Sequence, residues 1–219
     1  MGAQGEGIGG FLADEEGGRI RHLLFSVRGV LVDWNPRAAL AGQYPQGVID
    51  MVFDPCDEWG IWRYRTLMNL GWDEERALVD YESTHGPAVA WVFRLYLKRF
   101  ALTITGMQPG MDELLDDLHN QGFTLWGLSN TTRPHARLAG RKLETLGLLD
   151  GALISAEEHV QMPDPLFFQL ALRRFGISPT QAVFVGDSPD QVEAAESCGI
   201  KSILFKGADH LREEMLNLS

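Results

Sequence analysis

Three places along this chain set polar side chains with chemical potential at the end of an apolar run. Ser26 and Arg28 close Arg21–Val27, Ser129-Asn130 closes Phe123–Ser129, and Asp187-Ser188 closes Ala182–Asp187, with Asp190 just beyond. Arg28 offers a planar fork suited to bidentate recognition of a carboxylate or phosphate. The same guanidinium cannot act as a general acid or base near neutral pH, because it does not give up its proton. Ser26 is either a small filler or a nucleophile, and a serine attacks only when a base activates it. No such base stands near it in sequence. Ser129 and Asn130 either begin a helix or offer donors to an anion. Asp187 either pairs with Arg28 or serves as an acid/base group; an Arg28–Asp187 salt bridge is the expectation.

These residues need a scaffold that brings strand ends together. Short apolar runs at 21–27, 123–129, 151–155, 182–187 and 201–205 read as buried strands. Helical patterns separate them. Pro109-Gly110 opens a helix with acids in its first turns and Gly122 as its stop. Others cover Arg133–Leu146, Pro165–Phe175 closed by Gly176, and Ser188–Cys198 closed by Gly199. This alternation predicts an α/β fold, a doubly wound, Rossmann-like parallel sheet with helices on both faces. Ligands of such sheets sit at the carboxyl ends of the strands, which here are Ser26–Arg28, Ser129-Asn130, Ser155 and Asp187-Ser188.

Residues 36–108 show no strand signal and read as a small helical cap inserted into the core, with helices near Asp57–Leu70, Asp73–Glu82 and Pro87–Phe100. The core is then 19–35 plus 109–206, followed by a tail or terminal helix over 207–219, while 1–18, rich in Gly and acids, is expected to be disordered. The insertion holds Trp59, Trp62, Trp72 and Trp91, four of the six tryptophans. Its aromatics, with Tyr64, Tyr81, Phe93 and Tyr96, either form the cap's own core or wall an apolar pocket above the sheet. Trp34, at the edge of the insertion, joins the candidate ligand contacts. Asp33 should aim towards the cap junction rather than the strand end. Cys56 is a bystander or a thiol facing the pocket, and none of the six histidines has metal-ligand spacing.

The segments Gly29–Arg37, Leu128–Thr132, Pro163–Phe168 and Phe184–Ile200, in this order and with a helical insertion after the first, resemble the haloacid dehalogenase-like superfamily. The nearest branch resembles its small capped phosphatases and dehalogenases. The resemblance implies an Asp-x-Asp first motif, in which one Asp attacks phosphorus and the other is acid/base; here those positions are Ser26 and Arg28. It implies a Lys ahead of Pro-x-Pro, where Met162 stands. Ser129, Asp187 and Asp190 match the remaining motifs. The family's Mg²⁺ is held by the first Asp, the carbonyl of the second and the fourth-motif Asp. Losing a carboxylate and gaining a guanidinium disfavours that ion. Loss of a general acid/base costs ~10²–10⁴ in rate, and loss of one electrostatic contact ~10²–10³. The site residues Ser26, Arg28, Met162 and Asp187 sum to no formal charge without an ion.

The resulting expectation is a descendant that has lost phosphoaspartyl chemistry and works without metal or cofactor. The first form of it is a non-catalytic small-molecule binder or regulator contacting its ligand through Ser26, Arg28, Trp34, Ser129, Asn130 and Met162. The second is a repurposed metal-independent enzyme acting on an anionic or largely apolar molecule, with Arg28 and Asp187 as its catalytic pair. Residual Mg²⁺-dependent phosphatase activity is the third. Composition narrows the partners. Nineteen basic against thirty acidic residues give a net charge of −11 and no basic run that would suit nucleic acid. No apolar stretch reaches the ~20 residues of a bilayer span, and Met1–Gly10 has neither the basic nor the apolar region of a secretory signal. Two cysteines make no disulfide scaffold. A cytoplasmic protein with a small-molecule ligand, and room for a protein partner, is expected.

Overall fold

The computed structural model describes residues 19–57 and 60–217; the expectations for 1–18 and for Trp59 fall outside the described residues. Strand β1 (His22–Ser26) is buried from Leu23 onward on both faces. A turn over Val27–Leu31, with non-helical backbone at Arg28 and Gly29, follows, and β2 (Val32–Trp34) leads out of the core. Then come α1 (Gln46–Val52), α2 (Ile61–Asn69), α3 (Glu74–His85) and α4 (Pro87–Lys98). Asp73 caps α3 by accepting from the Arg76 amide at 2.7 Å, and Pro87 opens α4 where a missing N–H does no harm. The chain returns along β3 (Ile104–Met107), antiparallel to β2.

This two-stranded stem corrects the reading of 36–108 as free of strands. Strands of three and four residues are too short to show periodicity. They form because each supplies the other's hydrogen-bond partners at the point where the chain leaves and re-enters the core.

Beyond the stem the expected alternation holds. Helix α5 (Met111–Asn120) buries Met111, Leu114, Leu115 and Leu118, spaced to make one helical face. It is followed by β4 (Thr124–Ser129), α6 (Arg133–Lys142), β5 (Gly151–Ile154), the short α7 (Ser155–Glu158) and α8 (Pro165–Phe175). The chain ends through β6 (Ala182–Gly186), α9 (Pro189–Ser197), β7 (Lys201–Leu204) and α10 (Ala208–Asn217). The parallel sheet runs β5-β4-β1-β6-β7. Leu23 and Phe25 pack with the cluster that continues into Phe93 and Tyr96 of α4, while Leu24 packs with Phe167 and Phe168 of α8. Burial on both faces is why these strands read as continuous apolar runs. No described helix is long and apolar enough to cross a membrane.

Candidate functional site

The turn after β1 sets the geometry of the strand ends. Arg28 is extended (φ −83°, ψ 132°), whereas Gly29 takes φ 88°, and its carbonyl accepts from Gln108 Nε2 at 3.2 Å. A Cβ on Gly29 would overlap the Asp187 carboxylate, so the turn closes against the end of β6 only because residue 29 has no side chain. The Ser26 hydroxyl, 3% exposed, directs its hydrogen towards the Arg28 carbonyl at 3.1 Å and Asp187 Oδ1 at 3.4 Å. Ser26 is thereby a donor that ties three strand-end elements together.

The Arg28 guanidinium goes elsewhere. No ion pair joins it to Asp187 among the described residues; its Cζ lies 4.7 Å from the centroid of the Trp34 ring. This corrects the expected salt bridge. Asp187 is held by Ser26 and the bare Cα of Gly29 and stays exposed, while the arginine finds an aromatic face on the cap side. Burial pushes the Arg28 guanidinium down from its ordinary range; the charge of Asp187, acting at a distance, and Tyr96 work in the other direction.

A second arginine meets the same indole. Arg65, on α2, is 9% exposed, with its Cζ 4.1 Å from the Trp34 ring centroid and 5.3 Å from that of Trp62. Burial lowers its pKa to about 10, with Arg28 pushing the same way, so it is still charged at neutral pH. Trp34 itself is fixed by donation from its indole nitrogen to Thr103 Oγ1 at 3.0 Å. Tyr96 stands beside both guanidiniums, and its fully buried hydroxyl has no hydrogen-bond partner.

These groups face a cavity of about 270 Å³ between the helical insertion and the ends of β1, β4 and β5. Arg28, Trp34, Ser129 and Asn130, four of the ligand contacts expected from the sequence, line it. Ser26, Met162 and Asp187 do not. Met162, expected as a ligand contact, is 3% exposed and packs with Leu128 and Phe167 in the core. Asn130 touches the cavity, but its amide is engaged: Nδ2 donates to Met162 O at 2.8 Å and Oδ1 accepts from Met162 N at 2.9 Å. Thr132 caps α6 by accepting from the His135 amide, and Ser155 Oγ accepts from the Thr131 amide at 3.0 Å. Asp33 is occupied in the stem, where Thr105 Oγ1 donates to its carbonyl and carboxylate. Cys56 is exposed and outside the cavity wall. The insertion's aromatics divide. Tyr64, Tyr81 and Phe93 pack edge-to-face and tilted into a cap core, with ring centroids 5.0 Å (Tyr64–Tyr81) and 4.8 Å (Tyr81–Phe93) apart, whereas Tyr96 reaches the cavity.

Sequence reasoning missed Arg65 and singled out Tyr96 only as one of the aromatics. The signal was present: Ile61, Arg65 and Met68 fall on one face of α2, so an arginine sits on an apolar stripe.

The model of the haloacid dehalogenase-like hydrolase family matches residues 27–199. The chain belongs to that family. It is 33% identical over 193 residues to an N-acetylmuramic acid 6-phosphate phosphatase of Pseudomonas putida, covering 84% of this chain and 82% of that one. It is 28% identical over 99 residues to drimenol cyclase drtB of Aspergillus calidoustus, a match that covers 45% of this chain and spans only 19% of that protein's length. A predicted HAD-like hydrolase from Porphyromonas gingivalis has the same fold, with a TM-score of 0.68 at 19% identity over 91% of this chain and 97% of that one.

A HAD family enzyme from Bacteroides thetaiotaomicron is seen in complex with magnesium and inorganic phosphate, which raises the question whether the strand-end residues here suit that ion. Magnesium requires near-octahedral oxygen ligands. Of the three positions that the resemblance would assign to the ion, Asp187 alone carries a carboxylate, and a hydroxyl hydrogen already points at it and at the Arg28 carbonyl. The Arg28 charge adds repulsion, and among the described residues no three His, Cys, Asp or Glu side chains gather into a metal cluster. The donor set does not fit the ion.

Proposed function

We propose that this haloacid dehalogenase-like protein binds an anionic small molecule in the cavity under its cap, as a non-catalytic binder or regulator that works without metal and without a phosphoaspartyl intermediate. The observation that supports it most is the end of β1: Ser26 stands there as a hydrogen-bonded donor beside Arg28, so the position offers neither a carboxylate nucleophile nor a proton-transferring partner. The printed partners of the Ser26 hydroxyl are the Arg28 carbonyl and the Asp187 carboxylate, which hold it as a donor between the ends of β1 and β6. The lining supports it further, since apolar side chains from Leu97, Phe100, Ile104, Leu146 and Leu149 surround a few polar groups. Cys56 and Cys198 are unpaired, in keeping with a reducing, cytoplasmic setting.

A thermal-shift screen of metabolites, followed by mass spectrometry of the recovered compound, tests this reading. A ligand that binds the folded state raises its melting temperature by mass action. The reading predicts a ligand recovered unchanged. A ligand chemically altered by the wild type and not by Arg28→Ala would instead establish a repurposed, metal-independent enzyme.

A further inference from the structure

Arg65 and Tyr96 have no role in the family's strand-end chemistry, yet both are buried against the cavity. A buried cation is costly unless it is paired. Arg65 forms no ion pair among the described residues; its guanidinium rests on the faces of Trp34 and Trp62. No Asp or Glu is among the residues that line the cavity. Burial, and then the like charge of Arg28, both work against the Arg65 cation. Tyr96 adds a buried hydroxyl with nothing to bond. Burial raises the Tyr96 pKa, so its proton stays on and the group remains a donor. Ser129, 8% exposed, brings another hydroxyl from the end of β4.

We propose that Arg65 and Tyr96 form a cap-borne anion site that holds the carboxylate of an apolar monocarboxylic acid, with its hydrocarbon part against Leu97, Phe100 and Ile104. A guanidinium fork and a phenol both belong to the cavity wall, with no carboxylate beside them, and a carboxylate supplies two acceptor oxygens in the plane the fork requires. Charge sets the class of ligand. Arg65 has no Asp or Glu beside it in the cavity wall, and one carboxylate placed against it supplies the missing counter-charge. The walls set the remainder, because the space beside the donors is aliphatic and aromatic.

This inference rests on the binding reading above, but its test reads different residues. Phenylacetate, cinnamate and octanoate are titrated into the full chain by calorimetry and thermal shift. Neutral phenylacetamide, phenyl phosphate and inorganic phosphate serve as comparisons. At least one of the three acids is expected to bind and raise the melting temperature, with phenylacetamide giving no shift and the phosphates a weaker one. Arg65→Met should weaken acid binding about ten- to hundredfold, and Tyr96→Phe about three- to tenfold. Arg65→Met keeps the apolar stem and removes an unpaired buried charge, so its ligand-free melting temperature should equal or exceed that of the wild type. A purely structural Arg65 would lower it. Silence from all three acids, tighter binding of the phosphates, equal binding of phenylacetamide, or undiminished binding by Arg65→Met would each overturn the site. None of these depends on whether a phosphate ester is hydrolysed at Ser26 and Arg28.

Discussion

The Ser26 hydroxyl lies 3.4 Å from Asp187 Oδ1 and donates towards it, joining the ends of β1 and β6. The same hydroxyl reaches the Arg28 carbonyl, so that carbonyl and the Asp187 carboxylate, two positions that the resemblance would assign to a magnesium ion, both accept from Ser26. Returning carboxylates to both positions, as Ser26→Asp with Arg28→Asp, should reverse that. The double variant is expected to be destabilised by crowded carboxylates and to recover in magnesium, by about 2.7 kcal/mol when free ion is about 100 times the dissociation constant. Wild type should show no magnesium-dependent shift. Differential scanning calorimetry with and without the ion reads both; an equal shift in the two proteins contradicts the assignment.

Gly29 holds the turn against Asp187. Its φ of 88° disfavours any side chain, and a Cβ there would overlap the carboxylate. Gly29→Ala should cost about 1–3 kcal/mol in urea denaturation. A loss below a few tenths of a kcal/mol would mean that the β1 turn and β6 are not in contact.

Asn130 is a brace between β4 and the segment carrying Met162, through two hydrogen bonds to the Met162 backbone. Asn130→Ala leaves a buried amide and carbonyl without partners and should cost about 1–3 kcal/mol. Ligand affinity, corrected for stability, should change little. Loss of binding in a fully stable Asn130→Ala protein would return that side chain to the ligand contacts.

His135 links core to cap. Its ring stacks on Phe100 with centroids 3.6 Å apart, and Nε2 lies 3.4 Å from Glu74 Oε1 on α3. His135→Ala removes the stack and should lower stability by about 0.5–1.5 kcal/mol. Hydrogen exchange should rise in α3 and the Phe100 turn before the sheet; uniform exchange across both would contradict a local link.

The sheet was legible because strands buried on both faces carry unbroken apolar runs, and because Asp164 and Ser188 announce the starts of α8 and α9 by capping them. Ser26, Arg28, Ser129 and Asp187 were found by the same logic, since they follow those runs. What the side chains do there was not legible. Whether Arg28 turns to Asp187 or to Trp34 depends on the Gly29 turn and on an indole fixed by Thr103, contacts remote in sequence. The stem of β2 and β3 escaped because its pairing spans the whole insertion. Arg65 escaped because a charged residue on an amphipathic helix is ordinarily placed in solvent, and only the fold brings it to the partner that holds its charge.

Loss of phosphate-ester cleavage at the end of β1 is the central claim. Purified full-length protein, incubated with a generic phosphomonoester and millimolar magnesium, should release phosphate no faster than the buffer does. Chelator-sensitive release by the wild type that disappears in Asp187→Ala would contradict it.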